Sequence, residues 1–156
     1  MDGFTINNNE GATIQTTGTD AGNGIVMDGN TNATVVNDGT ITSDINALRC
    51  LNCADVTFTN TGTIESTDSD TGAATIIRGA TGTNTIINSG EITSGNDRAV
   101  DVSQTSGTTV TNSGTITAGT NTGLNLAHTT NAVVTNSGTI TANDQAVSLE
   151  LSLIHI

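Results

Sequence analysis

Five copies of the pattern Asn-x-Gly-x-Ile punctuate this chain at nearly even intervals, and no other feature limits its fold so tightly. They read Asn37-Asp38-Gly39-Thr40-Ile41, Asn60-Thr61-Gly62-Thr63-Ile64, Asn88-Ser89-Gly90-Glu91-Ile92, Asn112-Ser113-Gly114-Thr115-Ile116 and Asn136-Ser137-Gly138-Thr139-Ile140. A looser first copy, Asn9-Glu10-Gly11-Ala12-Thr13-Ile14, has one extra residue before its Ile. With Asn as anchor the spacings are 28, 23, 28, 24 and 24 residues. Two positions before each regular anchor stands an apolar residue: Val35, Phe58, Ile86, Val110 and Val134. A recurrence on this scale marks a solenoid or array, whose units bury their apolar faces only against their neighbours.

Within one copy the period is two, which means strand. In Thr109-Val110-Thr111-Asn112 the Val points one way and both Thr the other; Thr115-Ile116-Thr117 repeats this after Ser113-Gly114. A third short strand follows, at Ile25-Val26-Met27, Ile45-Asn46-Ala47-Leu48, Ile76-Ile77, Ala99-Val100-Asp101-Val102, Gly123-Leu124-Asn125-Leu126 and Ala146-Val147-Ser148-Leu149. Three strands and three turns per repeat predict an all-β parallel β-helix of about six coils over residues 1–150, with 151–156 a tail outside the repeat. Stacking then sets Ile41, Ile64, Ile92, Ile116 and Ile140 in one core column, about 4.8 Å apart. Each buried Ile or Val is worth about 1.5–3 kcal/mol. Gly39, Gly62, Gly90, Gly114 and Gly138 are expected to supply positive φ at the turn. Asn37, Asn60, Asn88, Asn112 and Asn136 either stack amide on amide along the axis or face water as ordinary turn residues.

Composition agrees. Thr, Asn and Gly account for 70 of 156 residues, and all three are poor helix formers, which argues against a helical bundle. No apolar run approaches the roughly 20 residues of a membrane helix. Three Arg and no Lys against 15 acidic residues give a net charge of −12, which disfavours nucleic acid, since binding it depends on cations that neutralise phosphate. Only 12% of residues are charged, so the recurring apolar positions, rather than charge repulsion, decide between order and disorder.

The runs Thr111–Ala118 and Thr135–Ala142 resemble the passenger β-helix of bacterial autotransporters. So does the step Asn96-Asp97-Arg98-Ala99-Val100, repeated as Asn143-Asp144-Gln145-Ala146-Val147. The resemblance covers about Phe4 to Leu149. It implies a right-handed β-helix in an exported surface or secreted protein, with a signal peptide and a translocator barrel elsewhere in the full-length chain. Passengers of this type commonly act as adhesins, which makes host surfaces or self-association the expected partners, with no membrane insertion by this segment. Met1-Asp2-Gly3-Phe4 has neither a basic stretch nor an apolar core, and no barrel strands are present, so the chain reads as an internal piece of a passenger. Leu151-Ser152-Leu153-Ile154-His155-Ile156 resembles translated adapter sequence; the alternative is a genuine extension of the last strand.

Candidate chemistry is sparse. Cys50-Leu51-Asn52-Cys53 falls in the segment joining two coils. Zinc needs four ligands, and only His128 and His155 remain, His128 about three coils away. A redox motif would need a βαβ context. In the oxidising compartment that the resemblance implies, Cys50 and Cys53 close a small disulfide loop; in a chain never exported they are two free thiols. Glu65 and Glu91, on neighbouring coils, are expected roughly 8 Å apart, a spacing compatible with an inverting glycosidase pair, although no aromatic platform or flanking cation accompanies them. Two solvated carboxylates is the simpler reading. Thr40/Thr42, Thr115/Thr117 and Thr139/Thr141 form a flat array like the ice-binding face of some solenoids, interrupted at Glu65 and Glu91. Asp68-Ser69-Asp70 and Asp97/Asp101 lack calcium-ligand spacing. No catalytic residue, metal or cofactor is therefore expected. The chain reads as a non-catalytic adhesive stalk presenting loops such as Thr67–Ala73 and Thr120–Gly123, with a polysaccharide-active enzyme and an inert spacer as rivals.

Overall fold

Strands of two to six residues, most alternating apolar and hydroxyl side chains, are stable only when stacked on a like neighbour. The computed structural model describes residues 3–17, 22–67 and 72–150, and among these there is no helix. Coil one contains β1 (Thr5–Asn8), β2 (Thr13–Gln15) and β3 (Ile25–Val26); coil two contains β4 (Thr34–Asn37), β5 (Thr40–Ser43) and β6 (Leu48–Leu51). Coil three contains β7 (Thr57–Asn60), β8 (Thr63–Ser66) and β9 (Thr75–Arg78); coil four contains β10 (Asn84–Asn88), β11 (Glu91–Ser94) and β12 (Val100–Ser103). Coil five contains β13 (Thr108–Asn112), β14 (Thr115–Ala118) and β15 (Thr122–Ala127); coil six contains β16 (Val133–Asn136), β17 (Thr139–Ala142) and β18 (Gln145–Glu150).

Every third strand pairs, in parallel, into one of three six-stranded sheets, so the chain winds a β-solenoid of about 5 turns. The first sheet stacks Ile6, Val35, Phe58, Ile86, Val110 and Val134. The second stacks Ile14, Ile41, Ile64, Ile92, Ile116 and Ile140. The third stacks Ile25, Leu48, Thr75, Val100, Leu124 and Val147. Ile41 through Ile116 are buried, while Ile140, in the last coil, is partly buried. Thr75 interrupts the third column, and its hydroxyl is buried with no partner.

Four positions differ from the sequence reading. The first anchor is Asn8, not Asn9: Asn8 pairs with Asn37, and Asn9–Ala12 forms a corner longer than its counterparts. Gly39, Gly62, Gly90, Gly114 and Gly138 do not have positive φ. They are glycine because the corner of one coil lies on the corner below: a Cβ on Gly62, Gly90, Gly114 or Gly138 would stand 2.0–2.1 Å from the carbonyl oxygen of the glycine beneath. The third strand of coil two is Leu48–Leu51, downstream of Ile45. Thr120–Gly123 is not an outward loop, since Thr122 and Gly123 already belong to β15 and are buried.

Among the described residues left-handed backbone clusters instead at the third corner, between the third and first sheets, with single glycines such as Gly11 and Gly22 at the other two corners. Asn52, Gln104 and His128 have φ of 54–55°, in one stack with Gly29 and Gly79. Three residues further on, Asn32, Asp55 and Asn131 do the same alongside Gly82 and Gly107. The second corner varies most in length, from two residues at 143–144 to nine at 16–24. Where it is irregular, serine hydroxyls tie it to the coil above: Ser43 Oγ donates to Gly22 O at 2.7 Å, Ser66 Oγ to Ile45 O at 2.5 Å and Ser94 Oγ to Gly72 O at 3.2 Å.

Candidate functional site

The anchor asparagines build a polar ladder that runs through all six coils. Asn8 Nδ2 donates to Asn37 Oδ1 at 2.7 Å, and the same bond repeats from Asn37 to Asn60, Asn60 to Asn88, Asn88 to Asn112 and Asn112 to Asn136 at 2.7–2.8 Å. Each amide also donates to a carbonyl of the coil above, as Asn88 Nδ2 does to Thr115 O at 3.1 Å. Asn37, Asn60, Asn88 and Asn112 are all buried, so of the two readings for these residues the structure has the stacked amides.

The second sheet turns a threonine face to solvent. One outward column runs Thr13, Thr40, Thr63, Glu91, Thr115, Thr139, and the next runs Gln15, Thr42, Glu65, Thr93, Thr117, Thr141. Each of the two middle coils therefore keeps one threonine, at Thr63 and Thr93, which the Thr-x-Thr spelling alone did not reveal. Glu65 lies beside Thr93 and Glu91 beside Thr63, the diagonal offset expected for neighbouring coils. Glu91 Oε1 accepts from Thr93 Oγ1 at 3.1 Å. Both carboxylates stand on an open sheet face rather than across a cleft. Two clefts among the described residues lie away from them: one at the third corner, lined by Thr81, Gln104, Ser106 and His128, and one beside Leu149 in the last coil.

Cys50 and Cys53 form a disulfide with Cα atoms 5.9 Å apart. Cys53 lies in the segment joining coil two to coil three, as expected, but Cys50 differs: it is an inward residue of β6, paired with Ile77, and both cysteines are buried in the core. Alternation explains the difference, since Leu48 and Cys50 face inward while Arg49 and Leu51 face out.

A third group was missed in the sequence. All three cations of the chain gather on or beside the outer face of the third sheet. Arg49 Nη2 donates to Asp28 Oδ2 at 2.7 Å. Arg78 Nη2 donates to Asp101 Oδ2 at 2.9 Å, with Arg98 Nη1 at 4.0 Å from the same oxygen. Asn125 Nδ2 fills Asp101 Oδ1 at 2.8 Å, so a carboxylate that is only 2% exposed is held by charge-assisted bonds rather than left uncompensated. Only the third-sheet register, which puts Asp101 beside Asn125, exposes this arrangement. Asp97 likewise accepts from Gly72 N and Asn121 Nδ2. No group of three or more metal-ligating side chains occurs among the described residues, and Asp68-Ser69-Asp70 lies outside them.

Against known proteins, no family model matches the chain, and neither a curated protein nor a solved structure matches it.

Proposed function

We propose that this chain is a stiff, non-catalytic rod segment of an exported bacterial surface protein, serving to hold its second corner outward for adhesion. One observation carries the reading: the stacked core columns and the asparagine ladder run from coil one to coil six, while most of the variation in length is confined to one edge. A scaffold that is constant along its axis and variable along one edge suits presentation, because recognition residues sit on loops positioned by a rigid frame. The buried Cys50–Cys53 bond supports an oxidising destination. Weak contacts repeated along a longer rod would add through multivalency.

The test places the chain between a secretion signal and a translocator barrel in a Gram-negative host. The expected result is display on intact cells, resistance to added protease and adhesion to extracellular-matrix or glycan-coated surfaces. Retention inside the envelope with degradation would remove the export reading. Display without adhesion to any surface would reduce the segment to a spacer.

A further inference from the structure

We infer that the outer face of the first sheet binds ice. Its outward side chains stand in two columns. One runs Thr34, Thr57, Thr85, Thr109 through coils two to five, and the other runs Val36, Thr59, Ile87, Thr111. All eight lie on strands paired on both sides. The register is unbroken although the coils differ in length, because the extra residues enter at corners. Every one of the eight is β-branched and stiff at χ1, so the surface is set before any partner arrives. Rungs about 4.8 Å apart, with a two-residue step of about 6.6 Å along each strand, make a regular grid of methyl groups. Six of its eight points also carry a hydroxyl.

Charge selects a neutral partner. The chain carries a net charge of −12, yet no strand of the first sheet has an ionisable residue. The second sheet, where the Thr-x-Thr spelling placed the array, holds Glu65 and Glu91 at outward points. Among the described residues no hydrogen bond engages the hydroxyls of those six first-sheet threonines, so their bonding capacity is left to the partner. A partner that is uncharged, hydrogen-bonding and periodic in two dimensions is a crystal face. A crystalline glycan would call for exposed aromatic rings, and this chain has no Trp or Tyr, with Phe4 and Phe58 packed on the core. Ice asks for less. Water is already ordered over methyl groups, and each hydroxyl, both donor and acceptor, fixes one such water at the rung spacing. The second corner lies between the other two sheets, so binding here is independent of adhesion through that edge and of export.

The test offers the full chain at millimolar concentration to slowly growing ice, and reads its enrichment in the ice, the crystal shape and the thermal hysteresis. The expected result is severalfold enrichment over a serum albumin control, faceted crystals and a measurable hysteresis gap. Thr57→Lys and Thr85→Lys, each in the middle of the grid, should lose most of the enrichment with an unchanged circular dichroism spectrum. Thr117→Lys, the same charge placed on the second sheet, should keep it. Disc-shaped crystals and no enrichment of the parent chain overturn the proposal. So does undiminished binding by both first-sheet variants, or an equal loss with Thr117→Lys. Retention on microcrystalline cellulose or chitin without any effect on ice would give the face another occupant, as would self-association that Thr57→Lys abolishes; either result sinks it.

Discussion

Asn88 accepts from Asn60 and donates to Asn112, so removing its side chain strips the buried Asn112 Oδ1 of its donor, breaks the bond to Thr115 O and leaves Asn60 Nδ2 with only its two carbonyl acceptors. Asn88→Ala should cost about 2–3 kcal/mol, against about 1 kcal/mol for Asn136→Ala at the end of the ladder; denaturant titration of the two variants measures the difference. Gly114→Ala should cost about 2–4 kcal/mol, because its methyl would meet the Gly90 carbonyl and force two coils apart. Thr75→Val works in the opposite direction: it removes a buried hydroxyl without a partner from between Leu48 and Val100 and should stabilise by about 1–2 kcal/mol. The identities of these residues were legible in the sequence, since Asn and Gly recur at fixed offsets. The reason for glycine was not. A one-dimensional pattern shows that a side chain is refused but does not show whether φ or a neighbouring backbone refuses it.

At the scale of the element, the third corner shows where sequence reading stops. Its first left-handed stack is filled by Gly29, Asn52, Gly79, Gln104 and His128, five positions with no common residue type. No motif can be read there, because the main chain sets the conformation and tolerates different residues at different cost. A non-glycine residue in this region pays about 1–2 kcal/mol, while added glycine freedom in the unfolded chain returns part of it. Gln104→Gly should therefore stabilise by about 0.5–1 kcal/mol, read as a rise in the thermal midpoint. Reducing Cys50–Cys53 should cost about 2 kcal/mol or less, since the closed loop is short; melting curves with and without reductant decide this. Cys50 falls inside a strand rather than in the joining segment with Cys53 because the third strand of coil two starts later than its Ile-Asn-Ala-Leu spelling suggests. The Arg78–Asp101–Asn125 group was invisible for a related reason: its members lie about one coil apart in sequence and meet only through register.

Across the whole molecule the winding itself was readable, because apolar residues at a nearly constant interval leave few other ways to bury them. What the interval did not convey is how unevenly the rod is protected. Most of coil six is exposed whereas coils two to five are closed on both sides, so hydrogen exchange should be fastest over Val133–Glu150 and slowest in the middle coils. Uniform protection from end to end would contradict nearest-neighbour stabilisation. The fixed rise per turn also acts as a ruler. Extra residues enter chiefly at the second corner of coils one and three, so the strand residues from which they depart, Gln15 and Glu65, stand two rungs apart, roughly 10 Å. A receptor gripping both would be reading a distance set by main-chain hydrogen bonds, and excising coil two would halve that distance without changing a residue of either insertion.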